Sequence, residues 1–473
     1  MPPDLWRAGA AQLTSAIRSR ELSAREAVEA QLARIEAVNP RLKAVTVVLA
    51  EEALAAAAEA DEAIARGEET GPLHGLPCTI KENIEVAGTA TTNGVPALAE
   101  AYAERDAPAV ERLREAGAIV IGRINLPDLG MRWHTASSLR GVTRNPWDAG
   151  RTAGGSSGGE AAALASGMTP LGLGNDYGGS LRYPSQCCGT AALKPGYGRI
   201  ATTPREGWPE PTPTGDLFTV TGPMARHIAD LRLAFAVLAA PDPRDPRLAP
   251  APPEDPAGEL PRVTFATDPG GLGVDERVAA GVRRAADALA DAGYPVEEGE
   301  PPLLREAAEV WGRLADAELR SAGQALLDPL SDEARRFIEL TTWAAPEPSL
   351  GGYLEAHMER LRCARVWSEW FGSGRLLLGP VSTAQPFEVG HDVAGRDEAL
   401  GVRRSMRLTL AANLLGLPSV ALPAGVDGGL PQGVQLIGPR YREDLCLAAA
   451  RAIEDRLGVI TPIEPREAAR ADG

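Results

Sequence analysis

Leu76-Pro77-Cys78-Thr79-Ile80-Lys81 is an apolar run closed by a charge, and Ala118-Ile119-Val120-Ile121 is a second such run further along the chain. Between them, Asp106 to Ala116 has helical spacing and stops at Gly117, a residue that ends helices because it accepts a left-handed backbone. Strand, helix and strand in so short a stretch point to an α/β fold. The pattern continues toward the N-terminus. Ser23-Ala24-Arg25-Glu26 is a capping box, and Val28, Leu32 and Ile35 recur at helical spacing until Asn39-Pro40. Ala44 to Leu49 reads as a strand and Glu51 to Arg66 as an Ala-rich helix. This alternation predicts a mostly parallel sheet covered by helices, with functional groups at strand ends and in the loops beyond them.

Toward the C-terminus, Gly141 to Arg199 is rich in Gly and Ser yet holds Trp147, Tyr177, Tyr183 and Tyr197, which a flexible linker would lack. Thr221 to Leu238 reads as one helix, Ala249 to Pro261 as a surface connection dense in Pro and Glu, and Val263 to Phe371 as mainly helical with Trp311, Trp343, Trp367 and Trp370. Pro418 to Leu422 and Gly433 to Ile437 flank Asp427-Gly428-Gly429, a hairpin pattern, and Glu443 to Leu457 is an amphipathic helix. With one linker and no fixed-period repeat, residues 1–473 are expected to form a single large domain.

Composition narrows the classes of function. The 473 residues carry 48 Lys plus Arg against 64 Asp plus Glu, a net charge of -16. With no basic stripe, this argues against nucleic acid or an anionic membrane as the main partner. No stretch approaches the length of a spanning helix, and Met1-Pro2-Pro3-Asp4 lacks the regions of a signal peptide, so the cytoplasm is the expected compartment. The five cysteines have no paired spacing and the five histidines are scattered, so neither a disulfide framework nor a metal site is expected. Only three of the 48 cations are lysines: Lys43, Lys81 and Lys194.

Chemistry concentrates in Gly154-Gly155-Ser156-Ser157-Gly158-Gly159 and in Gly174-Asn175-Asp176-Tyr177-Gly178-Gly179-Ser180. Glycines let a backbone turn its N–H groups toward a ligand, so each segment could accept an anion. Three readings compete. A phosphate-binding loop would need Lys after the second Gly, where Glu160 stands. The bland reading is a set of turns around a helix starting at Glu160. The third is a hydrolase in which a serine attacks a carbonyl. That serine needs a base, and with no His in either segment Lys81 is the available candidate.

Gly75 to Glu82, Arg144-Asn145-Pro146-Trp147-Asp148, Arg151-Thr152-Ala153 with the first glycine block, Gly174 to Arg182, Leu193-Lys194-Pro195, Val220 to Arg226 and Asn413 to Gly438 resemble the amidase signature family in order and spacing, over nearly the whole chain. The resemblance implies one α/β domain with a central mixed sheet. It implies a signature core over residues 60–200 and a variable helical region over 300–390 that shapes the substrate pocket. It also implies a Ser-Ser-Lys mechanism: Ser180 as nucleophile, Ser156 after a cis peptide as bridge, and Lys81 as base. Burial would lower the pKa of a lysine there, whereas Arg could not give up its proton. The backbone N–H groups of Tyr177, Gly178, Gly179 and Ser180 would form the oxyanion hole. Asp176 and Arg182 would support it, and Ser157 would stand beside it as a turn hydrogen-bonder. Lys194, before Pro195 in a loop, reads as structural and Lys43 as a solvated charge. Trp133, Trp208 and Trp343 are candidate pocket residues. Asn175 and Tyr177 stand where the family pattern has threonines, which should alter the mouth of the pocket. The expected substrate is a small amide, with carbamates and esters open to the same attack. No cofactor is implied, and the expected state is monomer or homodimer. Two alternatives remain: the glutamine-amidase subunit of a tRNA-dependent amidotransferase, whose Gly-Tyr-Tyr-Asp-rich segment is not found here, and a non-catalytic binding protein.

Overall fold

The computed structural model describes residues 4–203, 210–249, 259–343, 347–372 and 374–466. Its strands are β1 (Val45–Val48), β2 (Pro77–Lys81), β3 (Ile119–Ile124), β4 (Ala136–Ser137), β5 (Gly141–Val142), β6 (Leu171–Asp176), β7 (Ala191–Lys194), β8 (Val220–Ala225), β9 (Val263–Phe265), β10 (Val296–Glu298), β11 (Leu376–Pro380), β12 (Ser419–Asp427) and β13 (Leu430–Ile437). Eleven of them form one sheet in the order β1-β3-β2-β6-β8-β7-β12-β13-β11-β9-β10, and β4 and β5 pair separately. The sheet is mixed. β3, β2 and β6 run parallel, as do β11, β9 and β10, and the pairs between these groups are antiparallel.

Helices cover both faces. In β11, Leu377 joins one hydrophobic cluster while Leu376 and Leu378 join the other, as the two-residue period of a strand buried on both sides requires. The hairpin expected around Asp427 is the β12–β13 pair. The helix expected over Thr221 to Leu238 is not continuous. Val220–Ala225 is strand β8, inserted between β6 and β7, and the helix begins at Ile228. Gly222 explains the difference, because a Cβ there would lie 2.2 Å from the Leu193 carbonyl oxygen, a backbone approach that only a glycine strand permits. Two short strands, β9 and β10, likewise interrupt the region read as helical. Most of the connection expected over 249–261 lies outside the described residues, which resume at Glu259. Among the described residues no helix is long and apolar enough to cross a membrane, and no group of His, Cys, Asp and Glu could hold a metal ion.

Register places the site. Thr79 and Ile80 of β2 stand opposite Gly172 and Leu173 of β6. Because the strands are parallel, Lys81 and Asp176 end at the same edge of the sheet, with Lys81 level with Gly174 and Asp176 two residues further on.

Candidate active site

Lys81 is the last residue of β2 and is fully buried. Its Nζ donates to Ser156 Oγ at 2.6 Å and to Asn175 Oδ1 at 2.7 Å. Burial depresses its pKa to about 7, against the pull of the Asp176 and Glu160 carboxyls. Burial likewise drives Glu160, behind the lysine, well above the usual carboxylate range, against the Thr79 hydroxyl, which donates to its Oε1 at 2.5 Å. Lys81 is thus a cation that loses its proton at neutral pH.

Ser156 follows a cis peptide from Gly155 and precedes the helix Gly158–Ala165, every residue of which is buried. A Cβ on Gly155 would lie 2.5 Å from the Arg132 carbonyl oxygen, so a glycine is needed where the two loops touch. Beside it, the Ser157 N–H donates to the Ser180 carbonyl at 3.2 Å, which ties the two glycine-rich segments together.

The second segment is wound around Asp176. Its carboxylate accepts from the N–H groups of Gly179 at 2.7 Å and Leu181 at 3.1 Å, from Arg182 Nε and Nη2 at 3.1 Å each, and from Asn413 Nδ2 at 2.9 Å. Burial raises this carboxyl, but the Arg182 guanidinium overcomes it and holds the pKa far below the carboxylate range. Gly179 makes the turn with φ +101°, which a side chain would oppose. The Gly179 N–H is therefore committed to Asp176. Among the described residues, the N–H groups of Tyr177, Gly178 and Ser180 have no hydrogen-bond partner. Two indoles hold the same loop by its carbonyls: Trp133 Nε1–H donates to Gly178 at 2.8 Å and Trp311 Nε1–H to Tyr177 at 3.4 Å.

Ser156, Asn175 and Ser180 open into a cavity of about 380 Å³. Its walls are mostly apolar and aromatic, with Met131, Trp133, Tyr177, Trp311 and Phe337 among them. Trp311, Ala315, Leu319 and Ala322 follow one another along one face of the helix Leu304–Leu327, which breaks at Gly323 with φ +60°, and Leu326 lines the cavity beyond the break. Polar groups gather at one part of the wall, where Arg403 pairs with Asp316 at 3.0 Å and Glu318 accepts from the backbone N–H of Thr214 at 2.9 Å.

The amidase family model matches residues 26–447. The chain belongs to the amidase family. An indoleacetamide hydrolase of Bradyrhizobium diazoefficiens is 41% identical over 96% of this chain and 88% of its own length. A glutamyl-tRNA(Gln) amidotransferase subunit of Chloroflexus aggregans is 34% identical over 93% of this chain and 94% of its own. The solved structure of a 6-aminohexanoate cyclic dimer hydrolase complexed with substrate superimposes with a TM-score of 0.83 at 29% identity, covering 98% of this chain and 99% of that one.

In this amidase-family enzyme the structure brings Lys81, Ser156, Ser157, Asp176 to Ser180, Arg182 and Trp133 into one locus. Arg182 is buried on Asp176, Asn413 and Gln435 and does not line the cavity. Trp208 lies outside the described residues. Trp343 ends the π-helical turn Glu339–Trp343, and its side chain also lies outside them. Lys194 is not in a loop. It ends strand β7, buried, with Nζ donating to the carbonyls of Pro195 and Leu417 at 2.9 and 2.7 Å. Lys43 is exposed. Two residues of the site escape a reading of the sequence. Asn175 is visible there only as a departure from the family pattern, although it touches Lys81. Trp311 stands in a tryptophan-rich stretch, and its helical spacing with Ala315, Leu319 and Ala322 is the signal that could have found it.

Proposed function

We propose that this enzyme hydrolyses a small aryl-substituted amide through an acyl-serine intermediate. The observation that carries the proposal is a buried lysine, deprotonated near neutrality, hydrogen-bonded to one serine of a pair that opens into an aromatic cavity. Ser180 Oγ attacks the amide carbon, its proton passes to Ser156 Oγ, and the Ser156 proton passes to the neutral amine of Lys81. A C–O bond forms, and the proton returns through Ser156 to the leaving nitrogen as the C–N bond breaks. Water then attacks the ester by the same route and releases the acid. The N–H groups of Tyr177, Gly178 and Ser180 supply the donors for the tetrahedral oxyanion, each worth about 3 kcal/mol. Gly179 is left out of this set because its N–H is held by Asp176.

The cavity volume and its aromatic walls suit a bicyclic or similar aryl acyl group, and the 41% identity to an indoleacetamide hydrolase supports an arylacetamide. Carbamates and esters present the same carbonyl to the same attack. The 34% identity to an amidotransferase subunit supports a second reading, in which the amide is glutamine and the ammonia passes to a partner. A hydrolysis panel of arylacetamides, anilides, carbamates, esters and glutamine, run with and without a tRNA-dependent partner system, separates them. Arylacetamide turnover by the lone chain, cut at least about 10⁴-fold in Ser180→Ala, is the expected result. Glutamine turnover that needs the partner would replace this reading with the second, and an active Ser180→Ala would remove the acyl-serine step.

A further inference from the structure

Strand β2 leaves the sheet through a turn in which the Ile84 N–H donates to the Lys81 carbonyl at 3.0 Å. The buried Arg123 guanidinium fixes this turn, donating to the carbonyls of Lys81 at 3.1 Å and Ile84 at 2.5 Å. Three polar side chains follow one another along it. Lys81 is bonded to Ser156 and Asn175, and Glu82 accepts from Thr92 and Arg140 at 2.8 Å each. Asn83, the third, has a buried Oδ1 without a hydrogen-bond partner among the described residues, and its Nδ2 donates to none of them. A buried polar atom left unpaired costs stability, so it calls for a reason. Among the buried side-chain atoms without a partner, that of Asn83 is the one belonging to a residue of the cavity wall.

The place of Asn83 in that wall suggests the reason. Trp311, Leu319 and Phe337 line the cavity from the helices, whereas Asn83 enters from β2, on the side of Ser156 and of Gly130, where a Cβ would lie 3.4 Å from Ser156 Oγ. In the acyl-serine route proposed above, on which this inference rests, Ser156 hands its proton to the leaving nitrogen. That nitrogen carries a lone pair and at least one N–H. The lone pair must face Ser156 to take the proton, which turns an N–H toward the wall beside it. Neither end of the Asn83 amide is held, so a half-turn about χ2 presents its oxygen to the cavity without breaking a hydrogen bond.

We propose that Asn83 selects the leaving group: its side-chain oxygen accepts an N–H of the scissile amide, which directs the nitrogen lone pair at Ser156 and favours amides over esters of the same acid. An ester places an oxygen there with no hydrogen to give, so the Asn83 oxygen meets lone pairs and stays unpaired. The contact is lost once the amine has left, so it acts on formation of the acyl-serine and not on its hydrolysis. Its effect is therefore read in kcat/KM.

Asn83→Leu, of nearly the same shape, tests this on the aryl amide that the hydrolysis panel turns over best and on the methyl ester of the same acid. The ratio of amide to ester kcat/KM is expected to fall about tenfold. Asn83→Ala, which cannot crowd the wall, should give the same fall. Asn83→Asp keeps an acceptor oxygen in place and should recover most of the ratio; any change it makes at Lys81 cancels, because both substrates need that base. The melting temperature of Asn83→Ala should stay near the wild-type value, since the residue holds no other part of the fold. A ratio unchanged in the Leu and Ala variants, whether amide and ester fall together or not at all, overturns the inference. So does an Asp variant no better than Leu. A Ser180→Ala chain still active on the amide removes the acyl-serine reading, and this inference with it.

Discussion

The strand side of the cavity and its helical side differ in how their charges are held. On the strand side, Lys81, Asp176 and Arg182 are fully buried and fixed by hydrogen bonds that cross between β2, β6 and the elements behind them. On the helical side, the Asp316–Arg403 pair keeps some contact with solvent. The first arrangement fixes protons and backbone donors within tenths of an ångström, as chemistry at one carbonyl requires. The second leaves room for the wall to vary with the substrate.

The largest effect that would break this contrast is at Lys81. Lys81→Arg keeps a cation but removes the amine on Ser156 that can shed a proton near pH 7. It should lower kcat/KM by about 10³-fold, close to Lys81→Ala. In the wild type, kcat/KM should rise with pH through about 7, as Lys81 deprotonates, and then level off. The sign for stability follows from the same shift. The unfolded chain keeps this proton to about pH 10.4, so it binds more protons than the folded chain across that window, and stability should increase with pH from about 7 upward. A mostly active Arg variant, or a profile flat between about pH 6 and 8, would sever the lysine from catalysis.

A second comparison sets two Arg–Asp pairs against each other. Arg182→Leu strands the buried Asp176 charge, and unfolding in urea should show a loss of about 3–5 kcal/mol. Arg403→Leu removes the partner of Asp316 where water can reach, and should cost roughly 1 kcal/mol. Equal losses would mean that the two sides are not built differently.

What can be read in the sequence follows the same division. β2, β3, the capped helix after Ser23 and the hairpin around Asp427 are local patterns, and local patterns survive into the fold. β8 reads as helix in the sequence because its central place between β6 and β7 is a long-range fact. Lys194, which reads as a loop residue beside Pro195, ends a strand for the same reason. Within the site, the residues that match a compact motif, Ser156, Asp176 and Ser180, can be read directly. The contact of Asn175 with Lys81 needs the parallel register of β2 on β6. The hold of Trp311 on Tyr177 needs a helix that lies far away in sequence.

The smallest expected effects come from the two indoles that grip one loop from the two sides. In a trans peptide the carbonyl and the following N–H point in opposite directions. Trp133, by holding the Gly178 carbonyl at 2.8 Å, aims the Gly179 N–H at Asp176. Trp311, by holding the Tyr177 carbonyl at 3.4 Å, fixes the direction of the Gly178 N–H. Trp133→Phe leaves a buried carbonyl without its donor, at a cost of about 1–2 kcal/mol, and because the Asp176 turn loosens, kcat should fall about tenfold. Trp311→Phe gives up a longer and weaker bond, so kcat should fall only about threefold, and KM for an aryl amide should rise by a similar factor as indole contact area is lost. Steady-state kinetics of the two variants on one substrate decides the matter: a larger kcat loss at Trp311 than at Trp133 would mean that the helical wall, and not the strand side, orients the donors.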